Sequence, residues 1–188
     1  LINGLQVKAD EDTVSMIALR QPLGSDLRMI MSLSNTVTDL ERIGDGAKKI
    51  ARMTVQIYDN ASSSPSAKLL RDVRPMAERA SAMLRDCLDA LVRLDAEKAM
   101  NIINDDDELD QEFQSALRRL ITYMMEDSRT IGHAINVLFI IKALERIGDH
   151  CKNVAEHIVY LVEGKNIQNR RNLDNNTIVT LAQERVED

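Results

Sequence analysis

Two pairs of carboxylates stand at the same spacing in two copies of one pentapeptide. The sequence ERIGD occurs at 41–45 and again at 145–149, which puts Glu41 and Asp45, and likewise Glu145 and Asp149, four residues apart. Like charges at that spacing destabilise an isolated helix by about 0.2–0.5 kcal/mol, and a glycine inside a helix costs about 1 kcal/mol relative to alanine. The repetition of both features indicates that the acids and the glycine have a role.

A third pair of acids, Asp106 and Asp110, precedes the second copy of the motif. Helices on either side of a predicted turn near Ser128 would form an antiparallel hairpin. Asp110 lies about 18 residues before that turn and Glu145 about 17 after it, so the two stand at similar heights when each residue rises 1.5 Å. Asp106 and Asp149 likewise stand at similar heights, one helical turn farther from the predicted turn near Ser128. The four carboxylates are therefore predicted to converge.

Oxygen ligands in a cluster are typical of sites for hard or borderline cations. We predict that divalent or trivalent metal ions (Fe, Zn, Mn or Mg) bind the cluster, with Asp106, Asp110, Glu145 and Asp149 as ligands. A sister site is expected at Glu41 and Asp45, where Asn3 stands at a comparable height.

The alternative interpretation is that each acidic pair is a solvated helix flank. Acids four residues apart are common on helix surfaces, and basic side chains close in sequence would neutralise them. Those side chains are Arg42, Lys48, Lys49, Arg146 and Lys152.

Five long helices are predicted to position these acids. Pro22 and Gly24 end the first helix, and Pro75 either kinks the third or marks its true start. The stretch 59–66 is a linker, Gly164 ends the last long helix, and 164–188 is a polar tail in which 177–186 is predicted to form a short helix. The predicted long helices cover 1–20, 25–58, 67–94, 96–126 and 130–163.

The predicted fold is all-α, with two tandem three-helix bundles related by an internal repeat. Residues 1–58 form the first bundle, which lacks its N-terminal helix, and residues 67–163 form the second. Gly44 and Gly148 lie on the predicted apolar stripes, where a missing side chain lets a neighbouring helix approach closely. These stripes consist of Val37, Leu40, Gly44, Ala47 and Ala51 in the first repeat, and of Ile141, Leu144, Gly148, Cys151 and Ala155 in the second.

The composition restricts the class of protein. A net charge of −6 argues against nucleic acid or an anionic membrane as the main partner, because both reward an excess of Lys and Arg. No apolar run approaches the roughly 20 residues of a membrane span, so a cytoplasmic protein is expected. Cys87 and Cys151 lie on apolar helix stripes and are predicted to be buried thiols.

The sequence lacks the motifs of the enzyme classes that a helical acidic protein could belong to. A carboxylate-bridged di-iron bundle uses Glu-x-x-His motifs on facing helices, and none of the three histidines has a Glu three residues before it. His150 and His157 are interpreted as surface residues. The sequence has no glycine-rich phosphate loop either, so we predict a protein that is not an enzyme, with a metal-binding helical scaffold or a carboxylate-bridged metalloenzyme as the alternative.

The repeated LERIGD, together with RQPLGSDLR and YMMEDSRTI, resembles the PhoU family of bacterial regulators of phosphate uptake. The resemblance covers about residues 1–165 and implies two similar three-helix bundles whose E(D)xxxD motifs can bind metal clusters. By position, the motif pairs are Glu41/Asp45, Asp106/Asp110 and Glu145/Asp149.

The same resemblance implies a function in negative regulation. Members of the family act between the phosphate ABC transporter, through its ATPase subunit, and the phosphate sensor histidine kinase. A homodimer is expected, with the membrane reached only through these partners. The chain departs from the family pattern at Asn3, where an acid is often found.

Overall fold

A computed structural model describes residues 2–59, 65–164 and 167 of the chain, and every regular element in them is helical. The all-α prediction is confirmed. A one-turn 3-10 helix, Ser128–Thr130, leads into the last long helix. The α-helices are α1 (Ile2–Arg20), α2 (Ser25–Asp59), α3 (Ala67–Leu70), α4 (Val73–Arg93), α5 (Ala96–Glu126) and α6 (Ile131–Glu163).

Local hydrogen bonds fix the ends of the helices that carry the acids. Asp95 caps α5 by accepting a hydrogen bond from the backbone N–H of Lys98 at 2.9 Å. Between α5 and α6, the Asp127 carboxylate accepts the N–H of Arg129 at 3.0 Å, which closes a sharp turn. At the end of α6, Gly164 adopts a φ of 72°, a left-handed conformation that glycine tolerates without strain. The predicted hairpin turn and the predicted end of α6 are confirmed.

The segment before α4 differs from the single helix predicted for 67–94. The short helix α3 is separated from α4 by a turn at Arg71 and Asp72. Pro75 lies in the first turn of α4, where its missing N–H leaves no intrahelical bond unmade. The proline therefore accompanies the start of this helix and does not kink it.

Helices α4, α5 and α6 pack against one another as a three-helix bundle. Its core is aliphatic and includes the fully buried Leu109 and Ile141. Both cysteines are free and buried as predicted, and the Cys87 thiol donates to the backbone carbonyl of Cys151 at 3.6 Å. A side-chain contact with the Cys87 thiol, together with burial, raises the pKa of the Cys151 thiol, so the site favours a protonated thiol over a thiolate metal ligand.

Helices α1 and α2 form the first repeat, and α2 packs along α6. A Cβ atom on Gly44 would lie 2.8 Å from Cδ1 of Ile2 on α1, and one on Gly148 would collide with Cδ2 of Leu109 on α5. Both motif glycines therefore allow close packing against the preceding helix of their own hairpin, as predicted.

The apolar stripe predicted for α2 is not the face buried against α6. Ala47 and Ala51 are exposed, and the buried positions on this helix include polar residues that a search for apolar periodicity passes over. Four of the buried residues are Ser32, Thr36, Asp39 and Ile43. The stripe through Gly44 instead marks the side that meets α1.

Parts of the domain prediction fall outside the described residues. These are most of the linker, at 60–64, and nearly all of the tail, including the helix predicted at 177–186. The boundaries 1–58, 59–66, 67–163 and 164–188 stay predictions. Among residues 2–59, 65–164 and 167, no helix combines the length and the hydropathy of a membrane span.

Candidate metal centre

The α5–α6 hairpin brings three of the predicted ligands together. Asp106 and Asp110 lie one turn apart on α5, and Asp149 lies on the facing side of α6. One carboxylate oxygen from each lies within 4.8 Å of the others. The facing arrangement predicted from distances along the chain places these acids at a common height.

Asp106 is the most deeply buried of the three, with 1% of its surface exposed. Its Oδ2 accepts a hydrogen bond from the Lys152 ammonium at 2.7 Å, whereas Oδ1 has no hydrogen-bond partner among the described residues. A buried acceptor without a partner costs about 1–3 kcal/mol. A cation bound at Oδ1 would remove that cost.

Asp110 and Asp149 are in an environment that disfavours two negative charges. Burial raises the pKa of Asp110 above its ordinary value, and the nearby charges of Asp106 and Asp149 raise it further. Burial is also the main cause of the raised pKa of Asp149, followed by the charges of Glu145 and Asp106. Lys142 and Lys152 oppose the shift of Asp149, and Lys152 opposes that of Asp110, but neither shift is cancelled. The cluster therefore has an excess of negative charge that an ion would neutralise.

Glu145, the fourth predicted ligand, is turned differently. It is 8% exposed, and one of its oxygens pairs with the Lys142 ammonium of the preceding turn. Its other oxygen, Oε2, is buried without a hydrogen bond in the described structure. Glu145 is not part of the group of three, but its charge contributes to the raised pKa of Asp149. It lies beside the cluster and not at its centre.

The first-repeat pair does not assemble a comparable group in the described residues. The Glu41 side chain is 14% exposed and lies 3.8 Å from Arg42, while Asp45 and Asn3 are exposed. No set of three or more His, Cys, Asp or Glu ligands in the described ranges includes Glu41 or Asp45. Their role as metal ligands stays a prediction.

The acids of the second repeat fit a metal ion. Oxygen ligands bind such ions at about 2.0–2.6 Å, so two ligands of one ion are at most about 5 Å apart. The spacing within the group of three satisfies that limit. The buried, unpartnered Oδ1 of Asp106 supplies a donor atom that needs a cation. Three carboxylates do not select among Fe, Zn, Mn and Mg, since all four accept oxygen ligands.

A second polar cluster joins the two repeats, and the sequence interpretation missed it. Asp39 on α2 lies close to three polar side chains of α6: His150 Nδ1 at 2.9 Å, Asn153 Nδ2 at 3.2 Å and His157 Nε2 at 3.2 Å. Burial acts to raise the pKa of Asp39, but hydrogen bonds from His157, His150 and Asn153 outweigh it and hold the pKa below its ordinary value.

The interpretation of His150 and His157 as surface residues is therefore wrong. Their side chains are 18% and 15% exposed, because α2 covers them and presents Asp39 to both rings. A signal was present in the spacing: positions 150, 153 and 157 follow the three-and-four rhythm of one helix face. This spacing alone does not show that α2 covers the face.

Comparison with protein-family models identifies a PhoU domain in two segments, residues 1–54 and 73–158. The two segments correspond closely to α1–α2 and α4–α6. They contain both copies of the ERIGD motif and the three-acid cluster.

Curated relatives agree with this assignment. The chain is 44% identical over 167 residues to a Pseudomonas putida protein named phosphate-specific transport system accessory protein PhoU homolog, which covers 89% of this chain and 64% of the relative. It is 42% identical, over 89% of its length, to the Escherichia coli protein named phosphate-specific transport system accessory protein PhoU. The chain spans 68% of that relative. The chain thus spans about two thirds of the length of these relatives.

Solved structures match the fold as well. The crystal structure of PhoU from Pseudomonas aeruginosa superposes with a TM-score of 0.83 at 43% sequence identity, covering 87% of this chain and 77% of that one. The phosphate transport system regulatory protein PhoU from Streptococcus pneumoniae gives a TM-score of 0.77 at 30% identity, covering 89% and 76%. The family model, the relatives and the helical architecture agree, and the chain belongs to the PhoU family.

Proposed function

We propose that this chain is an accessory regulator of phosphate-specific transport that acts by contact with other proteins. In this proposal it restrains phosphate uptake and phosphate-starvation signalling when phosphate is plentiful. Its partners are the ATPase subunit of the phosphate ABC transporter and the phosphate sensor histidine kinase, both reached from the cytoplasm. The chain itself needs to catalyse no reaction in this role.

One observation carries the proposal: both repeats match the PhoU domain, and relatives of 42–44% identity are named for the phosphate-specific transport system. The solved relative from Streptococcus pneumoniae is described as a regulatory protein of phosphate transport. Identity at this level over 89% of the chain supports a shared role.

The metal ion has a structural part in this proposal. Bound between α5 and α6 by Asp106, Asp110 and Asp149, with Glu145 beside them, it would fix the relative position of the two helices. Glu41 and Asp45 are proposed as the corresponding ligands of the first repeat. The metal then sets the shape of the surface that partners recognise.

A deletion strain tests the regulatory role. In a bacterium lacking its own copy, a phosphate-starvation reporter should stay on in high phosphate, and expression of the full-length gene should switch it off. Normal repression in the clean deletion strain would overturn the proposal. Co-purification of the transporter ATPase and the kinase with the tagged protein measures the contacts directly.

The metal contribution is tested in the same strain with two neighbouring substitutions. Asp106→Asn removes a buried ligand, whereas Asp105→Asn removes the same charge from an exposed position next to it. Weaker repression with Asp106→Asn alone indicates that the metal shapes the docking surface. Equal repression by both variants shows that the metal is incidental to regulation.

A further inference from the structure

A cleft between α2 and α6 lies apart from the three-acid cluster. Its volume is about 460 Å³, within the range of about 300–1,000 Å³ usual for small-molecule sites. Met53, Ala143 and Ile147 give it apolar lining. Gly46 also lines it, and a Cβ atom at that position would lie 3.1 Å from Cγ1 of Ile147, so the glycine lets the two helices come close.

The polar lining of this cleft is strongly basic. One acid, Asp45, accompanies five permanently cationic side chains among the described residues that line it, although the chain as a whole carries a net charge of −6. The five are Arg42, Lys48, Lys49, Arg52 and Arg146. Concentrating like charges in a concave surface raises the local potential and attracts anions.

Most of this positive charge is not neutralised within the described structure. Lys48, Arg52 and Arg146 are exposed and form no ion pair with a described carboxylate. Arg42 has only a 3.8 Å contact with Glu41, and Lys49 lies 5.4 Å from the centre of the Phe139 ring. Basic residues elsewhere, such as Arg79 and Arg119, are held by carboxylates at 3.0 Å or less.

The spacing of the two helices that line the cleft is fixed before any ligand arrives. His150 lines it, and the hydrogen-bonded pair of His150 and Asp39 ties α6 to α2 at that point. Because both walls of the cleft belong to these two helices, their spacing is set by the fold. A preformed site avoids part of the entropy cost of ordering a binding surface.

We propose that this surface, the basic cleft, binds a compact anion that carries several phosphate groups. Three of its cations are arginines, whose guanidinium groups donate paired hydrogen bonds to phosphate oxygens. The two lysines add mobile point charges. No Phe, Tyr or Trp is among the described lining residues, and the one imidazole, that of His150, is already hydrogen-bonded to Asp39, so the cleft offers a nucleobase little stacking surface. The ligand class is therefore an oligophosphate and not a nucleoside.

Titration calorimetry with sodium tripolyphosphate tests the assignment. The triple variant Lys48→Gln/Arg52→Gln/Arg146→Gln removes three cations of the cleft. The control Lys8→Gln/Arg71→Gln/Arg85→Gln removes three exposed basic side chains that do not line the cleft and form no ion pair with the described carboxylates. Neither variant alters an acid of the metal cluster, so phosphate bound there through a metal is common to all three proteins.

The wild-type protein and the control should bind tripolyphosphate with similar affinity, and the cleft variant should bind about tenfold more weakly or worse. Higher ionic strength should weaken binding to the wild type, because salt screens the attraction. Equal melting temperatures of the three proteins without ligand show that the substitutions leave the fold intact.

The proposal would be overturned by no binding to the wild type, by equal loss of binding in the control variant, or by citrate binding as tightly as tripolyphosphate. ATP and inorganic phosphate complete the comparison. ATP should bind no more tightly than tripolyphosphate and inorganic phosphate more weakly. A preference for ATP would show that a base is recognised and contradict the compact-anion assignment. Binding of polyglutamate but not tripolyphosphate would assign the cleft to an acidic protein instead.

Discussion

The ammonium of Lys152 lies 2.7 Å from Oδ2 of Asp106, on the face of α6 that meets α5. The other oxygen of Asp106 is left without a hydrogen-bond partner in the described structure. Lys142 and Lys152 oppose the raised pKa of Asp149 without cancelling it, so the stability of the protein with and without metal should reflect the remaining excess of negative charge.

Divalent metal should stabilise the protein through this cluster. At a free concentration near 100 times Kd, mass action contributes about 2.7 kcal/mol, which corresponds to a rise in Tm of about 5–10 °C for a chain of this size. Scanning fluorimetry with Mn²⁺ or Zn²⁺ measures the shift. Asp106→Asn should lose most of it, and Asp105→Asn should keep it. An equal response of both variants would contradict the grouping of Asp106 with Asp110 and Asp149.

Removing one of the crowded charges should stabilise the metal-free protein. Asp110 is in contact with solvent, and its raised pKa reflects burial together with repulsion from Asp106 and Asp149. Solvent screening limits the gain, so Asp110→Asn should raise Tm by about 1–2 °C in the presence of a chelator. Differential scanning calorimetry gives the comparison. A lower Tm would mean that Asp110 forms a favourable contact that outweighs the repulsion.

Asp39 should contribute stability in a defined range of pH. Its pKa is lowered in the folded state, so its contribution is fully present above the ordinary aspartate pKa of about 3.9 and is lost as the pH falls through the lowered value. Asp39→Asn should reduce the free energy of unfolding by about 1–3 kcal/mol near neutral pH, where hydrogen bonds to a buried charge are lost. The difference should shrink as the pH falls below the ordinary aspartate pKa and through the lowered one.

Urea denaturation at several pH values measures this dependence, with Asp105→Asn as the exposed control. The control should follow the wild type throughout. A loss of stability in Asp39→Asn that stays constant from neutral to acidic pH would show that packing, and not the charge, accounts for the effect.

Gly148 should not tolerate a larger side chain. A Cβ atom there would overlap Cδ2 of Leu109 and lie 3.4 Å from Oδ1 of Asp106. Leu109 is fully buried and has little room to move, so Gly148→Ala should destabilise the protein by about 1–3 kcal/mol. Gly132→Ala is the matched control, because nothing lies within 4 Å of its added Cβ and alanine favours the helix. Thermal unfolding measures the stability of both variants. If Gly148→Ala were as stable as Gly132→Ala, α5 would have to lie farther from α6 than described.

The second repeat was easier to predict from the sequence than the first. The predicted stripe on α6 is buried, and so are the apolar positions Ile102, Leu109 and Phe113 on α5. Apolar periodicity therefore located both the hairpin and the height of its acids. The pairing of Glu145 with Lys142 was not predicted. Both residues lie on α6, and this ion pair competes with the expected approach of Glu145 to the acids of α5.

The first repeat was harder because its buried face is partly polar. Ser32, Thr36 and Asp39 lie in that face, and apolar periodicity selects a different side of α2. The contact between Asp39 and His150 joins residues 111 positions apart, so no local pattern reveals that the histidine is covered. Only the packing of α2 on α6 turns these polar residues into a cluster.

Asp149 and His150 are neighbours in the chain, but the first belongs to the acid cluster formed with α5 and the second is bound to Asp39 on α2. Rotation of α6 about its own axis would therefore break both sets of contacts together. An ion bound at Asp149 would also restrict that rotation and keep the imidazole of His150 facing α2. By reciprocity, tighter packing of α2 on α6 would increase the affinity of the acids for the ion. We therefore predict that α6 couples the two repeats thermodynamically through this pair of adjacent residues.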